Sequence, residues 1–138
     1  MLKTLGMRHI ALNVFDVEGC ANFYKNIFNM AMEWQPDADN IYLTSGNDNL
    51  ALHRVEKCER ERATQRLDHI GFFVQTPDEV DQWFMFLKEN NVRIIKEPKQ
   101  HRDGAKSLYC ADPEGTVIQV IYHPPIVNCQ HPSVTSLK

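Results

Sequence analysis

Two stretches decide the fold: Arg8-His-Ile-Ala-Leu-Asn-Val14 and Asp68-His-Ile-Gly-Phe-Phe-Val74. Set one above the other, 60 residues apart, they align His on His, Ile on Ile, Ala on Gly and Val on Val. A segment that recurs at a fixed offset marks a duplicated unit. Both copies alternate and are rich in β-formers, which predicts strands. Ile10, Leu12 and Val14 share one face of the first, and His9, Ala11 and Asn13 the other. Ile70, Phe72 and Val74 oppose His69, Gly71 and Phe73 in the second. Each histidine is therefore followed, on its own face, by a small residue that leaves room above the sheet.

Outward from these strands the halves run in parallel. Asp16 is an N-cap for a helix whose apolar stripe is Val17, Cys20, Tyr24 and Ile27, ending about Asn29. Thr76-Pro-Asp-Glu79 is a capping box with proline at the first helical position, followed by Val80, Trp83, Phe84 and Leu87 up to Asn90-Asn91. Three strands follow each helix: about 31–35, 41–44 and 50–55 in the first half, and about 93–96, 107–111 and 117–122 in the second. Asp112-Pro-Glu-Gly115 reads as a tight turn. The expectation is an α+β chain of two tandem βαβββ modules whose mixed sheets curl around a cavity. They form one domain: module one at about 7–55, a charged linker over 56–66, module two at about 67–123 and a proline-containing tail over 124–138. A unit of about 60 residues struggles to close a core alone, whereas two can share one.

The composition excludes several functions. The chain has 138 residues, 15 Lys plus Arg against 18 Asp plus Glu, and a net charge of −3. That leaves no positive field for a nucleic acid. No apolar run approaches the roughly 20 residues of a membrane span, and Met1–Arg8 lacks the apolar stretch of a signal peptide. A cytoplasmic protein is expected. Cys20, Cys58, Cys110 and Cys129 are scattered and read as reduced thiols.

Aligning the last strands puts Leu52-His53-Arg54-Val55 against Ile118-Gln119-Val120-Ile121, an offset of 66, with the six extra residues assigned to the 97–106 loop. First strands then offer His9 and His69, and last strands His53 and Gln119. Polar groups at matched places on apolar strands are costly unless partnered, by about 1–3 kcal/mol. Four that converge would partner one another through an ion. Three imidazoles and an amide oxygen suit a divalent transition metal (zinc, nickel, iron, manganese or cobalt) rather than calcium or magnesium. His101 in the 97–106 loop, with Lys99, Arg102 and Lys106, would face a small, anionic substrate. Tyr109, Tyr42 and Trp34 fall on strands beside it, where core packing competes with a cavity lining.

The repeated His-Ile strands, Asn22-Phe-Tyr-Lys-Asn-Ile-Phe-Asn-Met30 and Ser107-Leu-Tyr-Cys-Ala-Asp-Pro-Glu-Gly-Thr-Val-Ile-Gln119 together resemble the vicinal oxygen chelate superfamily. That group holds glyoxalase I, fosfomycin-resistance enzymes, extradiol dioxygenases, methylmalonyl-CoA epimerase and metal-free bleomycin-resistance proteins. The resemblance covers about 7–123 and implies a homodimer. Its metal-dependent members take ligands from the first and last strand of each module, here His9, His53, His69 and Gln119. The stretch from His101 to Gln119 also resembles the extradiol dioxygenase signature, but ends in Gln where that family has Glu. In glyoxalase I the last position is a ligand and the proton-moving base, and glutamate also stands where this chain has His53. An amide ligates through oxygen but takes no proton at neutral pH. A neutral donor set leaves the ion its full +2 charge, which favours an anionic, vicinal-oxygen substrate. The resemblance thus implies a metal-dependent lyase, isomerase or dioxygenase. Its catalytic groups would come from His53, Tyr109 and His101. The alternative is a metal-free protein that binds or sequesters a small ligand, of the bleomycin-resistance type.

Overall fold

A computed structural model describes residues 3, 5, 7–56 and 67–124. The expected linker beyond Glu56, the tail beyond Pro124, Cys58, Cys129 and most of the extreme N-terminus lie outside the described residues. The chain falls into two compact units, Met1–Thr64 and Gln65–Lys138, each taken by itself below.

In the first unit β1 (His9–Val14) leads to α1 (Val17–Ile27), then β2 (Ala31–Asp37), β3 (Asn40–Thr44) and β4 (Asn49–Arg54). The strands lie in the order β1-β4-β3-β2. β1 runs parallel to β4, and the other pairs are antiparallel. Asp16 caps α1 by accepting from the Gly19 amide at 2.9 Å. Asn29 ends it with φ of 54°, a left-handed position that asparagine tolerates. The buried stripe Val17, Cys20, Ala21 and Tyr24 packs on β3 and β4, where Ile41, Leu43, Leu50 and Leu52 are also buried. These apolar residues fill one face of the sheet, so His9, Asn13, Asn40, Tyr42 and His53 stand on the other.

The second unit repeats this plan with β5 (Ile70–Val74), α2 (Pro77–Glu89), β6 (Ile94–Gln100), β7 (Lys106–Ala111) and β8 (Val117–Tyr122). The order is β5-β8-β7-β6, and β5 is parallel to β8. The Thr76 hydroxyl accepts from the Glu79 amide, and the Glu79 carboxylate accepts from the Thr76 amide, which completes the capping box. Val80 and Leu87 of α2 are buried, as are Leu108, Cys110, Ile118 and Val120 on the sheet face that α2 covers. Gly115, at φ of 88°, closes the Asp112 turn, and the Asp112 carboxylate accepts from the Glu114 and Thr116 amides.

The α+β, two-module reading holds. One segment differs. Half of the expected 97–106 loop is sheet, because β6 continues through Pro98 to Gln100, β7 begins at Lys106, and the hairpin turn occupies only 101–105. Pro98 is tolerated because β6 is an edge strand whose ladder shifts register between Lys96 and Lys99.

Candidate functional site

The repeat offset inferred from sequence needs revision. Gln119 lies opposite Gly71, the repeat partner of Ala11, and Ala11 lies opposite Ala51. Ala51 is therefore the counterpart of Gln119, at an offset of 68. His53 lies opposite Asn13, and its counterpart is Ile121 opposite Phe73. The extra residues are spread along the second module. Helix α2 has 13 residues against 11 in α1, and further residues enter the β6–β7 hairpin and the turn before β8. The slip from 66 to 68 is an even number, so His53 keeps the face the alignment gave it and loses only its position along the strand.

That position matters. His9 and His53 stand on neighbouring strands but four residues apart in register, about 13 Å along the sheet. Each ring is also fixed where it stands. His9 Nδ1 meets Asn49 Oδ1 at 2.6 Å, and Asn49 Nδ2 donates to Glu33 Oε2 at 2.8 Å. His53 Nδ1 meets Asn40 Oδ1 at 2.6 Å, and Asn40 Nδ2 donates to both Asp37 oxygens at 2.9 and 3.1 Å. A carboxylate only accepts, so each asparagine must turn its NH₂ to the acid and its oxygen to the histidine. Both histidines are therefore protonated at Nδ1 and carry their lone pair at Nε2. The two carboxylates reach these places from the register shifts of β2, one between Met32 and Trp34 and one between Trp34 and Asp37. The bonds from Asn40 and from the Asp39 backbone hold the Asp37 carboxyl below its ordinary pKa. Trp34 stacks on Tyr42 at 5.2 Å, and Tyr42 meets the His53 ring edge-on at 5.8 Å.

In the second unit His69 immediately precedes β5. Its Nδ1 is 2.6 Å from Asp68 Oδ2, which fixes the same tautomer without an asparagine between. The His69 ring meets Tyr109 edge-on at 5.5 Å. Tyr109 faces Gln119 across the β7–β8 ladder, and its hydroxyl accepts from Gln119 Nε2 at 3.0 Å. That bond uses the amide nitrogen, so Oε1 is the atom Gln119 has left to offer. His69 and Gln119 thus share Tyr109 as a neighbour, the one at its ring and the other at its hydroxyl. Lys96 places its ammonium 5.3 Å from the Tyr109 ring centre. Gly71 keeps the space over Gln119 clear; a Cβ there would meet only the Gln119 backbone oxygen, at 3.9 Å.

His101 and Lys106 both fall at the β6–β7 hairpin. His101 is in the β6–β7 turn with Nε2 3.1 Å from Ser107 Oγ, two residues along β7 from Tyr109. Lys106 reaches the opposite face of its sheet, where it pairs with Asp81 of α2 at 2.5 Å. Among the described residues, no three side chains from His, Cys, Asp and Glu form a metal-type group. What each unit offers instead is histidine Nε2 donors of fixed tautomer, and in the second unit an amide oxygen beside one. Sequence reasoning missed Asn40, Asn49, Glu33, Asp37 and Asp68. Only Asp68, adjacent to its histidine, carried a signal that a reader of the sequence can find.

A βαβββ unit used twice, with a histidine at the head of each first strand, defines a member of the glyoxalase-like class of folds. Residues 6–120 match the family model of the Glyoxalase/Bleomycin resistance protein/Dioxygenase superfamily, and the chain belongs to that superfamily. It is 31% identical over 120 residues to metallothiol transferase FosB of Staphylococcus epidermidis, covering 86% of this chain and 82% of that one. It is 28% identical over 116 residues to the FosB of Shouchella clausii, covering 83% and 78%. Among solved structures, the fold resembles lactoylglutathione lyase from Agrobacterium tumefaciens, with TM-score 0.70, 19% identity and coverage of 85% and 92%. It also resembles the fosfomycin resistance protein FosX of Listeria monocytogenes, with TM-score 0.68, 21% identity and coverage of 89% and 95%. Among the described residues no helix is long and apolar enough to cross a membrane.

Proposed function

We propose that this chain is a metal-dependent transferase that adds a thiol to a small oxygenated electrophile. The likeness to metallothiol transferases supports a transferase over the lyase, isomerase or dioxygenase that the sequence suggested. The observation that carries the reading is the fixed tautomer of His9 and His69. A metal-ligating histidine donates its second ring N–H to a carboxylate or carbonyl, and these two do so. His69 and Gln119 Oε1 of the second unit are proposed ligands, and His9 of the first is proposed from the resemblance to the superfamily; imidazoles and an amide oxygen suit zinc, manganese, nickel, cobalt or ferrous iron. When bound, a divalent ion supplies Lewis-acid polarisation of a substrate oxygen. His53 is left out of the set, because register and its own asparagine hold it away from His9.

The remaining groups have roles in proton handling and recognition. Thiol addition needs the S–H proton removed, a carbon–sulfur bond formed, and a carbon–oxygen bond of the electrophile broken with its electron pair leaving on the oxygen, which then takes up a proton. His53 Nε2 is the proposed proton acceptor, since Asn40, held by Asp37, orients the ring. Tyr109 accepts from Gln119 and keeps its own O–H to donate to substrate. Lys96, beside Tyr109, favours an anionic substrate.

Metal analysis of protein purified without an affinity metal, followed by turnover of fosfomycin with a panel of low-molecular-weight thiols, tests the proposal. About one equivalent of transition metal per chain and chelator-sensitive thiol consumption are expected. Absence of metal binding on titration removes it in favour of a metal-free ligand-binding role. A homodimer belongs to the same reading and is checked by light scattering.

A further inference from the structure

We propose that each imidazole proposed above as a ligand is backed from outside the ligand shell by an acid of its own unit, Asp68 for His69 and Glu33 for His9, and that these positioning residues return part of the negative charge that Gln119 removes. The inference rests on the ligand set proposed above and goes beyond it. Gln119, His9 and His69 are all neutral donors, so the bare set balances none of the charge of a divalent ion. Each proposed imidazole is nevertheless backed by an acid. Asp68 accepts directly from His69 Nδ1 at 2.6 Å. Glu33 acts on His9 through Asn49, whose amide accepts from the ring at 2.6 Å and donates to the carboxylate at 2.8 Å. A hydrogen bond from Nδ1–H to an acid draws the proton outward and raises electron density at Nε2, so the ring becomes a stronger donor to an ion. It also holds the ring in one tautomer, which spares the entropy of choosing it on binding.

The two arms differ in strength. Asp68 touches its histidine, whereas Glu33 works through a neutral amide that transmits orientation more than charge. Asp68 is also 92% exposed on its side chain, so water screens part of its field. Loss of an outer-shell partner generally lowers metal affinity by about 10–100-fold, and the exposed Asp68 belongs at the lower end. The position of Asp68 makes the test clean, because an exposed side chain can be replaced without disturbing the core.

The experiment is competition of the full-length protein against a chromophoric chelator for Zn²⁺ and Mn²⁺. Variants are Asp68→Asn, Asp68→Glu, Glu33→Gln, Gln119→Glu and the Gln119→Glu/Asp68→Asn double. Asp68→Asn is expected to weaken binding about tenfold, Asp68→Glu to recover part of the loss, and Glu33→Gln to cost about threefold. Gln119→Glu is expected to tighten binding and to shrink the Asp68→Asn effect, since charge within the shell makes charge outside it redundant. His69→Ala is the control for the ligand set itself. If His69→Ala leaves affinity unchanged, the metal reading fails and the inference falls with it. If His69→Ala abolishes binding while Asp68→Asn stays within twofold of the parent, the ligand set stands and the outer-charge inference is overturned. An Asp68→Asn effect of the same size with and without Gln119→Glu also overturns it.

Discussion

His53 stands opposite Asn13 across the β1–β4 ladder, not opposite Ala11. On the proposed reading, that displacement of two residues makes His53 a proton acceptor and not a metal ligand. His53→Ala is expected to leave metal affinity within about threefold of the parent. Thiol-transfer turnover should fall by about 10²–10⁴-fold, the usual worth of a general base. Chelator competition and steady-state kinetics on one preparation check both. Loss of metal binding in step with turnover would return His53 to the ligand set.

The Asp37 carboxyl is held below its ordinary pKa mainly by the Asn40 side chain and next by the Asp39 backbone. A depressed carboxylate favours folding at neutral pH, and that contribution is lost as the pH falls through the lowered value. Asp37 is exposed, so the effect reads better in its titration than in stability. Asn40→Ala should move the Asp37 midpoint upward, followed by carbon-detected NMR of the carboxyl. It should also lower turnover, because the His53 ring loses its fixed tautomer. An Asp37 midpoint unchanged by Asn40→Ala would show that the relay does not extend to the acid.

Tyr109 holds Gln119 through the amide nitrogen at 3.0 Å, and so turns the amide oxygen away from itself. Tyr109→Phe removes the only group named above that orients that oxygen. A neutral hydrogen bond is worth about 0.5–1.5 kcal/mol net, which corresponds to roughly a two- to twelvefold loss of metal affinity. Turnover should fall further than affinity if the hydroxyl also donates to substrate. Equal losses in the two measurements would confine Tyr109 to orienting Gln119.

The repeat was legible because His9-Ile10 and His69-Ile70 are local signals, and so were both helix caps, since Asp16 and Thr76 act within three residues of themselves. The position of His53 was not. A gapless comparison of last strands sees parity, which sets the face, but an insertion spread over a helix, a hairpin and a turn hides the register. Asn49, Asn40, Glu33 and Asp37 were invisible for a related reason. They reach their histidines across strand pairs and through irregularities of β2, and neither leaves a periodic trace in the chain. Lys106 was expected to face an anionic substrate because the sequence put it in a loop, whereas it opens β7 and its strand parity sends it to Asp81 on α2.

Thr76 closes the capping box of α2, which covers the second unit's sheet. Thr76→Ala removes the acceptor for the Glu79 amide and is expected to lower stability by about 1 kcal/mol. Urea unfolding of the parent and variant checks it through a shifted midpoint at constant slope. Thr76→Ser keeps the hydroxyl and should recover most of the loss. Metal affinity should not change, since no proposed ligand lies on α2.

Cys110 lies on β7 between Tyr109 and Ala111 and is wholly buried on the face that α2 covers. Burial first, and the charge of Asp112 second, push its thiol pKa up to about 12. The thiolate is the reactive form, so Cys110 should be inert in the native protein although it neighbours a site residue. Treatment with iodoacetamide at pH 8, followed by peptide mass spectrometry, should leave Cys110 unmodified until denaturant is added. The same holds for Cys20, on the buried face of α1. Rapid native labelling of Cys110 would mean that β7 opens on the timescale of the reaction. On the proposed transferase reading an inert Cys110 leaves the thiol to the co-substrate, and Cys110→Ala should retain whatever thiol transfer the parent shows. Loss of turnover in that variant, with fold and metal content intact, would assign the nucleophile to the protein instead.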